Sequence, residues 1–286
     1  MHVSQALHRK PCSVLSLRKS MAALATGLAL ATAMGIAHAA DSTKIPDYVP
    51  SVGQEGKDVV WVPTSQDLVN KMLDMAKVTP KDYLIDLGAG DGRTVITAAQ
   101  RGLRAHGIEY NPDMVKVAQT AARRAGVEKQ ATFEEADLFK SDLTQAQVIT
   151  LFLLPSINEK LRPTILDLKP GTRIVSNSFR MGDWEPDQSE TVKGDCSNWC
   201  TAHLWIVPAK VEGRWKAGKQ TLTLKQQFQN ITGTLGNQQI ADGKISGDTV
   251  SFTVGQTRYA AKLNGKQLVG KTDADGKSSE WVAARS

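Results

Sequence analysis

The sequence predicts an α/β chain in which a mostly parallel sheet is followed by a small antiparallel β-barrel or sandwich, and three observations carry that reading. From Tyr83 a short apolar run ends in Asp86-Leu87-Gly88-Ala89-Gly90-Asp91-Gly92 and passes into a helical pattern at Arg93 to Ala99, which is strand, glycine turn and helix. Further strand-like and helix-like runs alternate as far as Val207, as parallel strands joined by crossover helices require. After Pro208 the pattern changes to short alternating segments separated by turn signals such as Gly236-Asn237, Asp242-Gly243, Asn264-Gly265 and Asp275-Gly276.

A chain of 286 residues has room for two domains, and 41% apolar with 22% charged residues is a globular rather than a disordered composition. Residues 1–40 contain no acid, carry Arg9, Lys10, Arg18 and Lys19, run apolar from Met21 to Ala37 and end in small residues at Ala37, Ala39 and Ala40. This is the pattern of a cleaved secretory signal peptide and predicts a periplasmic or secreted mature chain; a mitochondrial transit peptide is the alternative. The apolar run is shorter than the ~20 residues of a spanning helix, so no stable membrane span is expected once the leader is removed. Without the four leader cations, 31 Lys and Arg face 29 Asp and Glu, a net charge of +2. That balance gives no electrostatic footprint for nucleic acid. Cys196 and Cys200 remain after loss of Cys12, and in an exported protein a disulfide is expected; two free thiols, or a metal site completed by His203, are the other readings.

Residues 41–58, rich in Pro, Gly, Ser and charge, read as a linker or N-terminal arm ahead of an α/β domain at 59–209. Thr64, followed three residues later by Asp67, resembles a capping box for a helix bearing Leu68, Val69, Met72, Leu73 and Ala76. At the glycine turn, alternate glycines leave no Cβ in the way and the helix start offers free N–H groups, so a nucleotide-like ligand is implied; taken alone, the turn also fits an ordinary strand-to-helix connection. The dinucleotide fingerprint G-x-G-x-x-G is not met, because Gly92 comes one position early and Arg93 stands where a small residue is needed. Asp86 ends the strand with a carboxylate, which is awkward beside a pyrophosphate and suits a ligand carrying an amino group and a sulfonium.

A second strand, Arg104 to Tyr110, places Glu109 at its carboxyl end, where a carboxylate can accept hydrogen bonds from both ribose hydroxyls. A third, Thr132 to Leu138, carries Asp137 near its end. Val148 to Leu154 is a near-continuous apolar run, expected to be a buried central strand stopped by Pro155. A helix from Ile157 to Leu168 follows, with Pro163 as a break or a late start, then a turn at Lys169-Pro170-Gly171 and a fifth strand from Thr172 to Phe179. Met181 to Cys200 reads as a loop over the site stapled by the two cysteines, and Ala202 to Val207 as the last strand of the sheet.

Asp86 with its three glycines, Glu109, Asp137 and the Leu-Lys-Pro-Gly turn, in this order and spacing, resemble the motifs of the class I S-adenosylmethionine-dependent methyltransferases over about Val60 to Pro208. The resemblance implies a Rossmann-like sheet whose last strand is antiparallel to its neighbour. It implies S-adenosyl-L-methionine as cofactor, held by Asp86, Gly88, Ala89, Gly90, Gly92, Glu109, Tyr110, Asp137 and Leu138, with Asp137 accepting the adenine amino group. Thr64 becomes a candidate wall of the methionine end, beside its plainer reading as a helix cap, and Phe152 and Pro155 become substrate-side candidates. Amine-methylating relatives carry Asn/Asp-Pro-Pro-aromatic where this chain keeps only the proline. Its apolar stretch looks more like that of bacterial exported members and of the mitochondrial protein-lysine methyltransferases.

The expected function is methyl transfer from S-adenosyl-L-methionine to an amine nucleophile of an acceptor substrate, with protein lysine the acceptor that the likeness suggests. No catalytic residue and no metal are assigned, because a sulfonium is already a strong methyl donor and the site has chiefly to align nucleophile, methyl and sulfur. Two alternatives stand beside it: an exported, catalytically silent binding protein, motivated by the lack of an obvious donor supply outside the cytoplasm, and a nucleotide-dependent oxidoreductase, disfavoured by Arg93 and Asp86. Residues 210–286 are expected to form an all-β domain whose first strand, at Gly213-Arg214-Trp215, closes against its last, at Glu280-Trp281, and to serve stability or a protein partner.

Overall fold

The computed structural model describes residues 48–194 and 196–286, so the leader expected at 1–40 lies outside the described residues. The α/β half runs α1 (Gln66–Met75), β1 (Tyr83–Leu87), α2 (Arg93–Gln100), β2 (Arg104–Glu109), α3 (Pro112–Arg124), β3 (Ala131–Glu135), β4 (Val148–Leu151), α4 (Pro155–Leu166), β5 (Arg173–Asn177), β6 (Gln188–Thr191) and β7 (Thr201–Ile206). The strands lie in the order β3-β2-β1-β4-β5-β7-β6. The first five are parallel, β7 is antiparallel to β5, and β6 is antiparallel to β7. Strand order reverses between β1 and β4, and in such open sheets a crevice forms beyond the carboxyl ends at that switch point.

Local sequence explains the elements. α3 starts at Asn111, whose side chain accepts from the N–H groups of Asp113 and Met114, with Pro112 in the first turn where its missing N–H does no harm. β4 is buried along its whole length, as a central parallel strand must be when helices cover both faces. α1, α2 and α3 bury Leu68, Leu73, Val95 and Ala118 with Leu84 of β1 in one core, whereas Leu161 and Ile165 of α4 join Ile149, Trp184 and Trp205 in the other.

Four expectations need correction. Ser65, not Thr64, caps α1, its Oγ accepting from Leu68 N at 3.4 Å; Thr64 Oγ1 instead accepts from Asn177 Nδ2 at 3.2 Å. β3 stops at Glu135, so Asp137 and Leu138 stand in the following turn. Pro155 opens α4, and Pro163 sits inside that helix without ending it. The stretch from Met181 to Cys200 is not all loop, since Gln188–Thr191 forms β6; an edge strand that is mostly solvent-exposed has no apolar alternation to betray it.

The second half is β8 (Gly213–Ala217), β9 (Gln220–Gln227), β10 (Asn230–Leu235), β11 (Gln238–Gln239), β12 (Ala241–Ser246), β13 (Thr249–Val254), β14 (Thr257–Asn264), β15 (Gln267–Ala274) and β16 (Lys277–Arg285). Successive strands pair antiparallel, β11 being a two-residue extension off β10, and β16 pairs back to β8 through Ala284 with Lys216 and Arg285 with Trp215. A closed barrel rather than a sandwich results. First and last strands do close, but at Ala284 and Arg285, while Glu280 and Trp281 pair with Lys271 and Gly270. In the hairpin near Asn264, Asn264 pairs with Gln267, so Gly265 and Lys266 form the loop. The interior is filled by Trp215, Leu222, Phe252 and Leu268 among others. Against the α/β half, Trp184 Nε1 donates to Gln229 Oε1 at 2.9 Å and Gln229 Nε2 donates to the Glu185 carbonyl at 2.7 Å, with Phe228 stacked on Trp184.

Candidate functional site

A cleft of about 440 Å³ opens over the carboxyl ends of β1, β2 and β4. Its floor is the glycine turn. Gly90 has φ +54°, and a Cβ there would lie 2.6 Å from Trp61 Nε1, so only glycine suits both the backbone and the tryptophan above it. Gly92 plays another part: it does not line the cleft, and a Cβ on it would meet the Phe133 ring at 2.7 Å and Ala118 at 2.8 Å. Its role is the close packing of α2 and α3 on the sheet.

Asp86, next to last in β1, carries a carboxylate in a residue that is only 6% exposed. Thr150 Oγ1 donates to it at 2.6 Å, and among the described residues no lysine or arginine pairs with it. Burial, followed by the nearby charges of Glu109 and Asp91, pushes its pKa from the ordinary 3.8 up to about 7 despite the Thr150 hydrogen bond. Glu109 is fixed at the end of β2 by two backbone donors, Gly90 N to Oε2 and Asn111 N to Oε1, both at 2.9 Å. Asp137 accepts from Phe139 N at 3.0 Å and pairs with Lys57 Nζ at 3.1 Å; the Phe139 N–H first, then Lys57, holds its carboxyl below the usual range. Lys57 also stands 4.3 Å above the Tyr110 ring.

Asp86, Gly88, Ala89, Gly90, Glu109, Tyr110, Asp137, Leu138, Thr64 and Phe152 all line this one cleft; Pro155 and Gly92 do not. Cys196 and Cys200 are bonded to each other, with Cα atoms 5.7 Å apart, so neither is a free thiol or a metal ligand. Sequence reasoning found Thr64 at the cleft wall but missed the rest of the roof. Residues 54–64, whose first part reads as a linker, line the cleft instead, with Trp61 against Gly90 and Lys57 on Asp137. Arg93 ties roof to floor: its guanidinium holds Asp91 through Nε and Nη2 and donates to the Thr64 carbonyl at 2.8 Å. Phe179 and Trp199 were missed as well, and join Phe152 on the side away from Asp137.

This arrangement gathers a buried carboxylate, a second carboxylate fixed by backbone donors and a glycine floor in one cleft. The ANTKMT methyltransferase domain matches residues 86–188. A protein-lysine N-methyltransferase of Saccharolobus islandicus is 38% identical over 56% of this chain and 96% of its own length. The chain belongs to the class I S-adenosylmethionine-dependent methyltransferases. This methyltransferase is also 36% identical to the adenine nucleotide translocase lysine N-methyltransferase of mouse, over 45% of its own chain, but spans only 56% of that relative. A solved RNA methyltransferase of Salinibacter ruber, in complex with S-adenosyl-L-homocysteine, aligns at 45% identity over 52% of this chain and 96% of that one, with a TM-score of 0.49. The methyltransferase takes S-adenosyl-L-methionine as cofactor, and its own residues fit that group: a buried carboxylate that has no cationic partner among the described residues, beside a glycine turn that lines the cleft. Neither a silent binding protein nor an oxidoreductase finds support in these relatives. Among the described residues of the enzyme, no helix is long and apolar enough to cross a membrane.

Proposed function

We propose that the enzyme transfers the methyl group of S-adenosyl-L-methionine to the side-chain amine of a protein lysine. The observation that carries the donor half is the buried, cation-free carboxylate of Asp86, which a donor's positive charge would neutralise. In this reading Asp86 faces the cationic methionine end, Gly88, Ala89 and Gly90 let the donor lie against the backbone, Glu109 accepts from the ribose hydroxyls, and Asp137, Tyr110 and Leu138 border the adenine. The acceptor half is supported by relatives named as protein-lysine methyltransferases and by the apolar lining that Phe152, Leu153 and Leu154 give the same cleft. When bound, the cofactor supplies an electrophilic methyl: the amine lone pair forms the N–C bond, and the C–S bonding pair returns to sulfur. The acceptor ammonium must lose a proton before attack, and the chain's contribution is alignment and exclusion of water.

Tritium transfer from labelled donor to lysine-containing peptides, followed by amino-acid analysis, tests the acceptor; label found only on another residue or on RNA overturns it. Calorimetry tests the donor residues, since Asp86→Ala or Glu109→Ala binding the donor as tightly as wild type would remove those assignments. The bonded Cys196–Cys200 pair supports an oxidising compartment for the mature chain. Cell fractionation with N-terminal sequencing distinguishes cleavage after Ala40 and export from an organellar leader.

A further inference from the structure

On the acceptor side, three aromatic rings converge from three separate segments. Phe152 follows β4 and stacks on Phe179, which follows β5, with ring centroids 5.9 Å apart and planes at 21°. Trp199 tilts onto Phe152 at 6.1 Å and 59°. All three line the cleft, yet Trp199 is 45% exposed, an uncommon place for the largest side chain. Its backbone is also unusual, with φ +53°, a left-handed conformation that disfavours a bulky residue. The surroundings hold it there. Cys200 is pinned to the sheet, its carbonyl accepting from Val192 N at 2.9 Å, and Ser178 N donates to the next carbonyl, that of Thr201, at 2.7 Å. The disulfide then ties Cys196 back to Cys200, so Trp199 rides on a closed loop anchored to β7.

We propose that Phe152, Phe179 and Trp199 form an aromatic mouth that receives the acceptor side chain, and that Trp199, presented by the disulfide loop, is its specificity-determining residue. The proposal deepens the lysine reading and rests on it. Stacked aromatic faces suit both parts of a lysine: the apolar stem packs on the rings, and the ammonium is drawn to their negative faces. The attraction matters most after transfer. Once the N–C bond has formed and the C–S bond has broken, the acceptor nitrogen is a methylammonium and remains cationic until it gives its extra proton to solvent. A mouth that holds this product keeps it in place for a further round, so Trp199 affects acceptor affinity and the degree of methylation, not donor binding.

The experiment uses the full mature chain, oxidised, as wild type, Trp199→Ala, Trp199→Phe and the double variant Cys196→Ser with Cys200→Ser. Calorimetry measures binding of Nα-acetyl-Nε-methyl-lysine amide to protein saturated with S-adenosyl-L-homocysteine, and mass spectrometry reads methyl states on a lysine peptide. Trp199→Ala should weaken methyl-lysine binding by about tenfold, shift products toward monomethyl-lysine and leave donor affinity unchanged; Trp199→Phe should recover most of the binding, and the double serine variant should fall between. Equal binding by wild type and Trp199→Ala, or no binding by wild type, overturns the mouth. If peptide lysines are methylated while Trp199→Ala changes neither affinity nor product, the mouth fails and the lysine reading stands. If the probe binds through Trp199 but no lysine is ever methylated, the lysine reading fails instead.

Discussion

At the carboxyl edge of the parallel sheet, Asp86 is buried with one hydroxyl partner, and the Oδ1 atoms of Asn158 and Asn177, also in the α/β half, are buried without a hydrogen bond. The barrel handles polar groups differently. Its buried Gln229 has both ends of the amide paired, Trp215 Nε1 donates to the Val211 carbonyl at 2.9 Å, and apolar side chains fill the rest. Unsatisfied buried polar groups lower stability, so a fold retains them where something other than stability needs them. The contrast separates a half that keeps buried polar groups unpaired or, like Asp86 at the cleft, with a single hydroxyl partner, from a half whose interior is given over to packing.

The sharpest way to break that comparison is in the barrel. Trp215→Ala should destabilise the protein by about 3–5 kcal/mol in denaturant titration, because a fully buried indole leaves a cavity. Donor affinity of the folded protein should stay within about twofold, as for distant, uncoupled sites; a parallel loss of affinity would make the two halves one functional unit. Asp86→Asn keeps the shape and removes the charge. Donor affinity should drop on the order of 100-fold, the range for a lost charged hydrogen bond, with no loss of stability at pH 8; a destabilised variant would mean that the carboxylate serves the fold.

pH dependence probes the same residue without mutation. The folded pKa of Asp86 is raised to about 7 from 3.8, so between those values the folded protein holds a proton that the unfolded chain has released. Donor-free stability contributed by this group is therefore present below about pH 4 and is lost as pH rises to about 7. Donor binding favours the ionised carboxylate, so affinity should improve by up to about tenfold per pH unit and level off above pH 7. Thermal melts and calorimetry across this window check both trends, and Asp86→Asn should flatten them. The smallest effect is expected at the rim: Lys57→Ala breaks a solvent-exposed ion pair with Asp137 and should change donor affinity a few-fold at most in the same calorimetric assay.

Asp86, Gly90 and Glu109 were legible in the sequence because an acid at a strand's end and a glycine turn before a helix are local patterns. Asp137 was found for a partly wrong reason, as a strand residue, when the turn after β3 carries it into the cleft. What escaped notice depends on long-range contact. The roof formed by Trp61 and Lys57 exists only because the chain folds back on Gly90 and Asp137, and polar composition alone reads as linker. β6 was hidden by its exposure at the sheet edge. The choice between barrel and sandwich turned on β8 meeting β16, a pairing that hairpin signals cannot specify.

Arg93, clasping Asp91 below and the Thr64 carbonyl above, joins two segments that are far apart in the chain. Residues 54–64 are tied to the glycine turn by this side chain, while Trp199 lines the same cleft from the disulfide loop. Arm and floor are therefore not independent elements, and a change at Arg93 is felt at both.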